Sequence, residues 1–194
     1  PSEFHETNNL NVKPENFFKQ MKFLKKNFNI ISPEQLISQK FEKPAALVTF
    51  DDGARGYFKY ALEIMNDLDI PSIHFLNMES VLGGLNWNGL VAYLLNKNKN
   101  FKNINKNINY SNITEKIVND FIGKNKEIIL KNALDYHGEW SNVNDLKKNE
   151  NNKNVYYGNH LFNHFNALIL SKERLINEFE NNRKILSKFA NFID

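Results

Sequence analysis

The chain has 194 residues, 41% hydrophobic and 13% aromatic, which is ample for a packed core and unlike a disordered segment. Its 25 basic and 22 acidic residues give a formal net charge of +3 with no segregated basic stretch, which argues against a nucleic-acid partner. There is no cysteine, which excludes disulfides, thiolate metal sites and a cysteine nucleophile, and no apolar run of about 18 residues that would span a membrane.

Lack of cysteine suits the cytoplasm and an oxidising cell-envelope compartment equally. The chain opens Pro1-Ser2-Glu3-Phe4 without an initiator Met and ends Phe192-Ile193-Asp194 directly after a helical pattern, so both ends read as cut.

In chain order, Phe17, Met21, Leu24 and Phe28 recur at helical spacing behind Pro14, a residue suited to a first helical position. A short strand, Asn29–Ile31, leads into Ser32-Pro33-Glu34-Gln35, the pattern of a capping box that starts a second helix. After Pro44, the apolar run Ala45–Phe50 predicts a buried strand. Tyr57, Tyr60, Ala61, Ile64 and Leu68 then mark a helix, and Ile70–Leu76 a second strand opened by Pro71. Strand, helix and strand in that order predict parallel strands joined by a crossover.

The middle is less regular. Trp87–Leu95 predicts a helix, Thr114–Leu134 one or two helices broken near Gly123, and Val143–Leu146 a short one. The Asn- and Lys-rich stretch Asn96–Asn109 predicts a solvated loop. Val155–Tyr157 is a brief strand ending at Gly158, and Ser171 caps a long helix with Leu175, Phe179, Leu186 and Phe189 on its apolar face. The expected architecture is one α/β domain over residues 1–194, with a mostly helical insertion at 83–154.

Two motifs sit at predicted strand ends. In Thr49-Phe50-Asp51-Asp52-Gly53, adjacent carboxylates repel and call for a positive partner such as a metal ion, while Gly53 lets the chain turn. Alone, the motif is equally a structural turn. In Gly158-Asn159-His160-Leu161-Phe162-Asn163-His164, two imidazoles four residues apart share a face if a helical turn forms. Alone, the pair equally suits surface or capping roles. Together the motifs supply two neutral nitrogen ligands and a carboxylate, with a second carboxylate free to take a proton, which are the parts of metal-assisted hydrolysis. A non-haem iron oxygenase uses the same ligand types, but its His-x-Asp arrangement is absent.

The run Ala45–Gly53 resembles the first motif of the polysaccharide deacetylase (NodB-homology, carbohydrate esterase 4) family. Tyr60-Ala61-Leu62 and Ile70–Phe75 resemble its next helix and strand, and His160 through His164 its His-Ser/Thr-x-x-His motif. The resemblance implies Asp51 as general base, and Asp52, His160 and His164 as ligands of a divalent metal, usually zinc. Phe4-His5-Glu6 resembles the Tyr-His segment of members whose motifs are circularly permuted, including biofilm poly-N-acetylglucosamine deacetylases, and implies His5 as general acid. An ordered surface histidine is the alternative for His5.

The implied fold is a distorted (β/α) barrel, present here in part and with a sheet edge left open unless the insertion covers it. The implied reaction is removal of N-acetyl, or O-acetyl, groups from an acetylated amino-sugar glycan of the envelope or matrix. A carbohydrate-binding module without turnover is the alternative. Leu161 stands where the family carries Ser or Thr, and the third and fourth motifs would lie beyond Asp194. Of the remaining candidates, His74 is expected in the core, His137 has no role, and Trp87 and Trp140 anchor helices in preference to stacking on sugars. Arg55 either orients Asp51 or lies exposed at a helix start.

Overall fold

The computed structural model describes residues 2–38, 44–84 and 86–194. It begins with a short helix α1 (Glu3–Thr7) and then α2 (Pro14–Asn27), with Pro14 at the helix start. Strand β1 (Asn29–Ile30) leads into α3 (Pro33–Ser38), where the Gln35 side chain accepts a 2.9 Å hydrogen bond from the Ser32 N–H, as the capping pattern requires.

The run expected as one buried strand is divided into β2 (Ala45–Ala46) and β3 (Val48–Phe50), which serve different ladders. β2 pairs with β1, whereas β3 pairs with β4 (Ser72–Leu76), and β4 with β5 (Val155–Asn159). All three pairings are parallel. Because β3 has a neighbour on one side of its ladder, its side chains are half-buried or exposed, whereas central β4 is almost wholly buried. The described strands form a two-stranded and a three-stranded open sheet and no closed barrel.

The crossover from β3 to β4 starts with a π-helical turn (Tyr57–Ala61) and continues as α4 (Leu62–Asp67). Met65 and Ile70 pack with Met21 of α2 in one apolar cluster. A second cluster joins Leu76, Tyr157 and Val155 of the strands to Leu186 and Phe189 at the end of the chain's last helix. The outer edge of β5 is covered by the chain's last residues: Tyr157 N–H donates to Asn191 O at 3.0 Å and Ile193 N–H to Tyr157 O at 2.9 Å.

Between β4 and β5 lie α5 (Met78–Val81), α6 (Trp87–Asn96), α7 (Lys99–Ile104), α8 (Glu115–Ile122), α9 (Lys126–His137) and α10 (Val143–Asn149). The break expected near Gly123 is a 3₁₀ turn, Gly123–Asn125. The loop expected at Asn96–Asn109 instead contains α7, capped by the Asn98 side chain and pinned by the fully buried Phe101. This segment has its own core of Trp87, Leu90, Leu94, Phe101, Val118 and Ile129. It is also tied to the turn after β3, because Arg55 N–H donates to Glu139 O and Ser141 N–H to Gly53 O.

The last helix, α11 (Lys172–Leu186), is capped by Ser171 as expected. Its buried face differs from the expected one. Phe179 is exposed, whereas Glu178 and Asn182 are buried on the stripe that leads to Leu186. No helix among the described residues is long and apolar enough to cross a membrane.

Candidate metal centre

Asp51 and Asp52 follow β3 directly. Asp52 (φ +65°) and Gly53 (φ +76°) both adopt left-handed backbone, a costly conformation for a residue with a side chain that short polar residues tolerate best. The turn is clamped from the helical segment: Gly53 O accepts from Ser141 N–H at 2.8 Å and from Ser141 Oγ at 2.7 Å. A Cβ on Gly53 would press on Leu76 Cδ2 at 3.3 Å and Ser141 Oγ at 3.4 Å, which together with its left-handed φ favours glycine there. This fold of the chain turns Asp52 inward and leaves Asp51 exposed.

The histidine motif follows β5, also at a C-terminal strand end, where parallel sheets concentrate their chemistry. The helical turn that would have put the two imidazoles on one face does not form. His160–Phe165 is irregular, with left-handed φ of +64° at Leu161 and +59° at His164. Those two reversals bring the rings together at a centroid separation of 4.9 Å.

Polar side chains hold this loop, all of them buried except half-buried Asn159. Asn77 Nδ2 donates to the backbone oxygens of His160 and Leu161, the latter at 3.0 Å. Asn159 Oδ1 accepts from Leu161 N–H at 3.0 Å and from Asn182 Nδ2 at 2.8 Å. Glu178 accepts from Asn163 N–H at 2.8 Å.

The three expected ligands converge. His160 Nε2 lies 3.1 Å and His164 Nε2 2.9 Å from the same Asp52 oxygen, Oδ1. One ligand atom from each of the three lies within 4.8 Å of the others, and the side chains are about one-third exposed, so solvent and substrate have access. Burial alone would raise the Asp52 carboxyl, but hydrogen bonds and charge from both histidines hold it far below the usual carboxylate range. Burial likewise opposes a proton on His164, yet the hydrogen bond and charge of Asp52 raise that imidazole above its ordinary value. The trio thus attracts positive charge to a single point. Two imidazole nitrogens and one carboxylate oxygen fit a divalent ion, whose bonds of about 2.0–2.2 Å need ligand atoms only slightly further apart than these.

Sequence reasoning missed several groups around this point. Asn88, at the start of α6, donates from Nδ2 to the other Asp52 oxygen at 3.2 Å. Nothing in its spacing marks it. Glu178 and Asn182 were detectable in principle, because they sit four residues apart on the same helical stripe as Leu186. His137 is buried near the site, its ring stacked at 4.4 Å on Phe4 and at 4.7 Å on Trp140. Burial pushes its pKa down to about 4.

His5, on α1, packs edge-on to His137 at 5.1 Å. Burial lowers its imidazole, with the charge of Asp52 opposing. Arg55 does not orient Asp51: it pairs with Glu139 at 3.0 Å and Asp145 at 3.3 Å. Trp87 anchors α6 as expected, edge-on to Phe165 at 4.9 Å. His74 lies fully buried in the core, as expected.

No curated protein matches the chain by sequence. Among solved structures, the Streptococcus pyogenes deacetylase PplD in complex with acetate is similar at a TM-score of 0.51 and 14% identity. The alignment covers 96% of this chain and 65% of that one, so the chain spans just under two thirds of that protein's length. At this identity the likeness is one of fold. The sequence profile of the family described as polysaccharide deacetylase matches residues 38–191, a span that contains both the Asp51–Gly53 turn and the His160–His164 loop. The chain therefore belongs to the polysaccharide deacetylase family.

Proposed function

We propose that the chain is a metal-dependent hydrolase that removes N-acetyl, or O-acetyl, groups from an acetylated amino-sugar polysaccharide of the cell envelope or extracellular matrix. The observation that carries this reading is the convergence of Asp52, His160 and His164 within 4.8 Å, with exposed Asp51 adjacent in the chain. Asp52, His160 and His164 would hold the ion, with zinc the first choice. When bound, such an ion polarises an acyl carbonyl and acidifies water.

The chain's own groups divide the proton work. Asp51, exposed and outside the ligand trio, takes a proton from the attacking water. His5 gives a proton to the departing amine. Asn88 fixes the Asp52 carboxylate by its second oxygen. The position of His5 ahead of Asp51 in the sequence supports the circularly permuted arrangement. We read residues 83–154 as an insertion within one domain. The contacts of Asn88 with Asp52 and of Ser141 with Gly53 support a part for it in shaping the site.

The test is Asp51→Asn, with zinc content and acetate release from an acetylated glucosamine oligomer measured on the same samples. Retained zinc with lost acetate release is expected. Lost zinc would make Asp51 a ligand. A wild-type protein that binds zinc and oligomer but releases no acetate would be a carbohydrate-binding module.

A further inference from the structure

Ser2 stands at the N-cap of α1 but does not cap it, since its hydroxyl makes no bond to the helix N–H groups. Instead Oγ lies 2.6 Å from Nδ1 of His5 and 2.6 Å from the backbone oxygen of His137. His137 ends α9, where a helix carbonyl has no partner within the helix, so an outside donor is needed. A serine hydroxyl has one proton, and a carbonyl oxygen can only accept. The proton therefore goes to His137 O. Oγ faces His5 with lone pairs, and so short a contact is favourable only if Nδ1 carries a hydrogen.

We propose that Ser2 is a positioning residue that fixes His5 as its Nδ1–H tautomer and leaves Nε2 as the nitrogen that exchanges protons at the site. The inference rests on the reading of His5 as general acid given above. In the doubly protonated ring, the Nε2–H bond breaks as the N–H bond of the departing amine forms, and the electron pair stays on Nε2. The neutral ring that remains already has its hydrogen on Nδ1, facing Ser2, so no rearrangement follows the transfer.

The surroundings are built for this contact. His137, whose carbonyl anchors Ser2, is held between Phe4 and Trp140. The next residue, Gly138, has φ +102°, and a Cβ there would approach Ser2 Cβ to 3.2 Å and Oγ to 3.4 Å. A side chain at position 138 would thus displace Ser2.

The experiment is long-range proton–nitrogen correlation NMR of the ¹⁵N-labelled full chain at a pH above the imidazole range, with His5 assigned by its loss in His5→Gln. A protonated Nδ1 and bare Nε2 are expected in the wild type and in Ser2→Thr, and a shift toward the Nε2–H tautomer in Ser2→Ala. A wild-type His5 protonated on Nε2, or an unchanged tautomer in Ser2→Ala, overturns the proposal. With zinc-loaded protein and an acetylated glucosamine oligomer, Ser2→Ala should lower kcat about tenfold, part of the ~10²–10⁴ that a positioned acid contributes. KM should stay unchanged and Ser2→Thr should restore the rate; a change in KM alone would overturn the positioning role. If the wild type releases no acetate, the acid role of His5 falls, while the tautomer measurement still decides the role of Ser2.

Discussion

Glu178 accepts a 2.8 Å hydrogen bond from the backbone N–H of Asn163, the residue directly before His164. Its two oxygens also take the Asn163 amide at 3.2 and 3.3 Å, and Oε1 takes Arg174 Nε at 3.1 Å. A buried carboxylate with this many donors is well compensated, and its partner loop carries left-handed φ at Leu161 and His164. Such backbone persists only where surrounding contacts impose it.

Glu178→Ala should therefore act on both stability and metal binding. Leaving the Asn163 donors unpaired costs roughly 1–3 kcal/mol. Freeing the loop should weaken zinc binding about 10–100-fold, as for other groups that orient ligands. Urea denaturation and competition with a chromophoric chelator measure the two effects. Glu178→Gln, which keeps the acceptor oxygen, should lose less of each. Unchanged zinc affinity in Glu178→Ala would mean that Asn77 and Asn159 hold the loop without it.

The other side of the centre offers a cleaner separation. Asn88 reaches the Asp52 oxygen that does not face the histidines, at 3.2 Å, and is itself only half-buried. Asn88→Ala should weaken zinc binding about tenfold by loosening Asp52. Stability should change by only about 0.5 kcal/mol, the scale of a partly exposed substitution. Calorimetric titration with zinc, alongside a thermal melt, checks the pair of outcomes. A large loss of stability would show that Asn88 serves the fold of α6 and not the ligand.

Much of this was legible in the chain because local signals are strong where they agree. Pro14 and the Ser32–Gln35 pattern start helices, and Ser171 caps one, as their chemistry demands. The pairing of an Asp-Asp-Gly turn with two close histidines pointed to one centre. The conformation that achieves it was not legible, because left-handed backbone at Leu161 and His164 is imposed by distant groups: Asn77 on one side, Glu178 on the other. Periodicity also misled on α11. It counted Phe179 as core, but burial there goes to Glu178 and Asn182, whose polar ends find partners inside.

His74 should make the fold acid-sensitive. It is fully buried among Phe50, Tyr57 and Phe58, and neither ring nitrogen completes a well-formed hydrogen bond among the described residues. Burial pushes its pKa down to about 3, only partly opposed by the Asp51 backbone and the Asp52 charge. The folded value is below the unfolded one, about 6.5, so the unfolded chain binds the proton first. No stability is lost above the unfolded value; below it, stability falls by about 1.4 kcal/mol per pH unit until the folded value is reached. His137, pushed down to about 4, adds the same dependence over most of that range. His74→Leu should leave stability near neutral pH unchanged or higher, because an unpaired buried polar group is removed. It should also flatten the decline between about pH 6 and 4.5, where His137 and the likewise lowered His5 would then remain. Denaturation midpoints across that range decide it, and an unaltered slope would mean that the His74 ring is solvated.

The Asn- and Lys-rich stretch after α6 gives the last test. Composition reads it as solvent-loving, yet Phe101 is fully buried and meets Phe121 edge-on at 5.0 Å. One aromatic residue thus outweighs a run of polar neighbours, because its burial removes a large apolar surface while the Asn and Lys side chains of α7 stay in water. Phe101→Ala should cost about 3–5 kcal/mol, whereas Ile104→Ala, at a residue 72% exposed on the same helix, should cost under about 0.5 kcal/mol. The contrast is readable by urea denaturation. α7 packs against α6, and α6 begins beside Asn88, so Phe101→Ala should also weaken zinc binding before the protein unfolds. If both substitutions were equally mild, the stretch would be the solvated loop that its composition suggests.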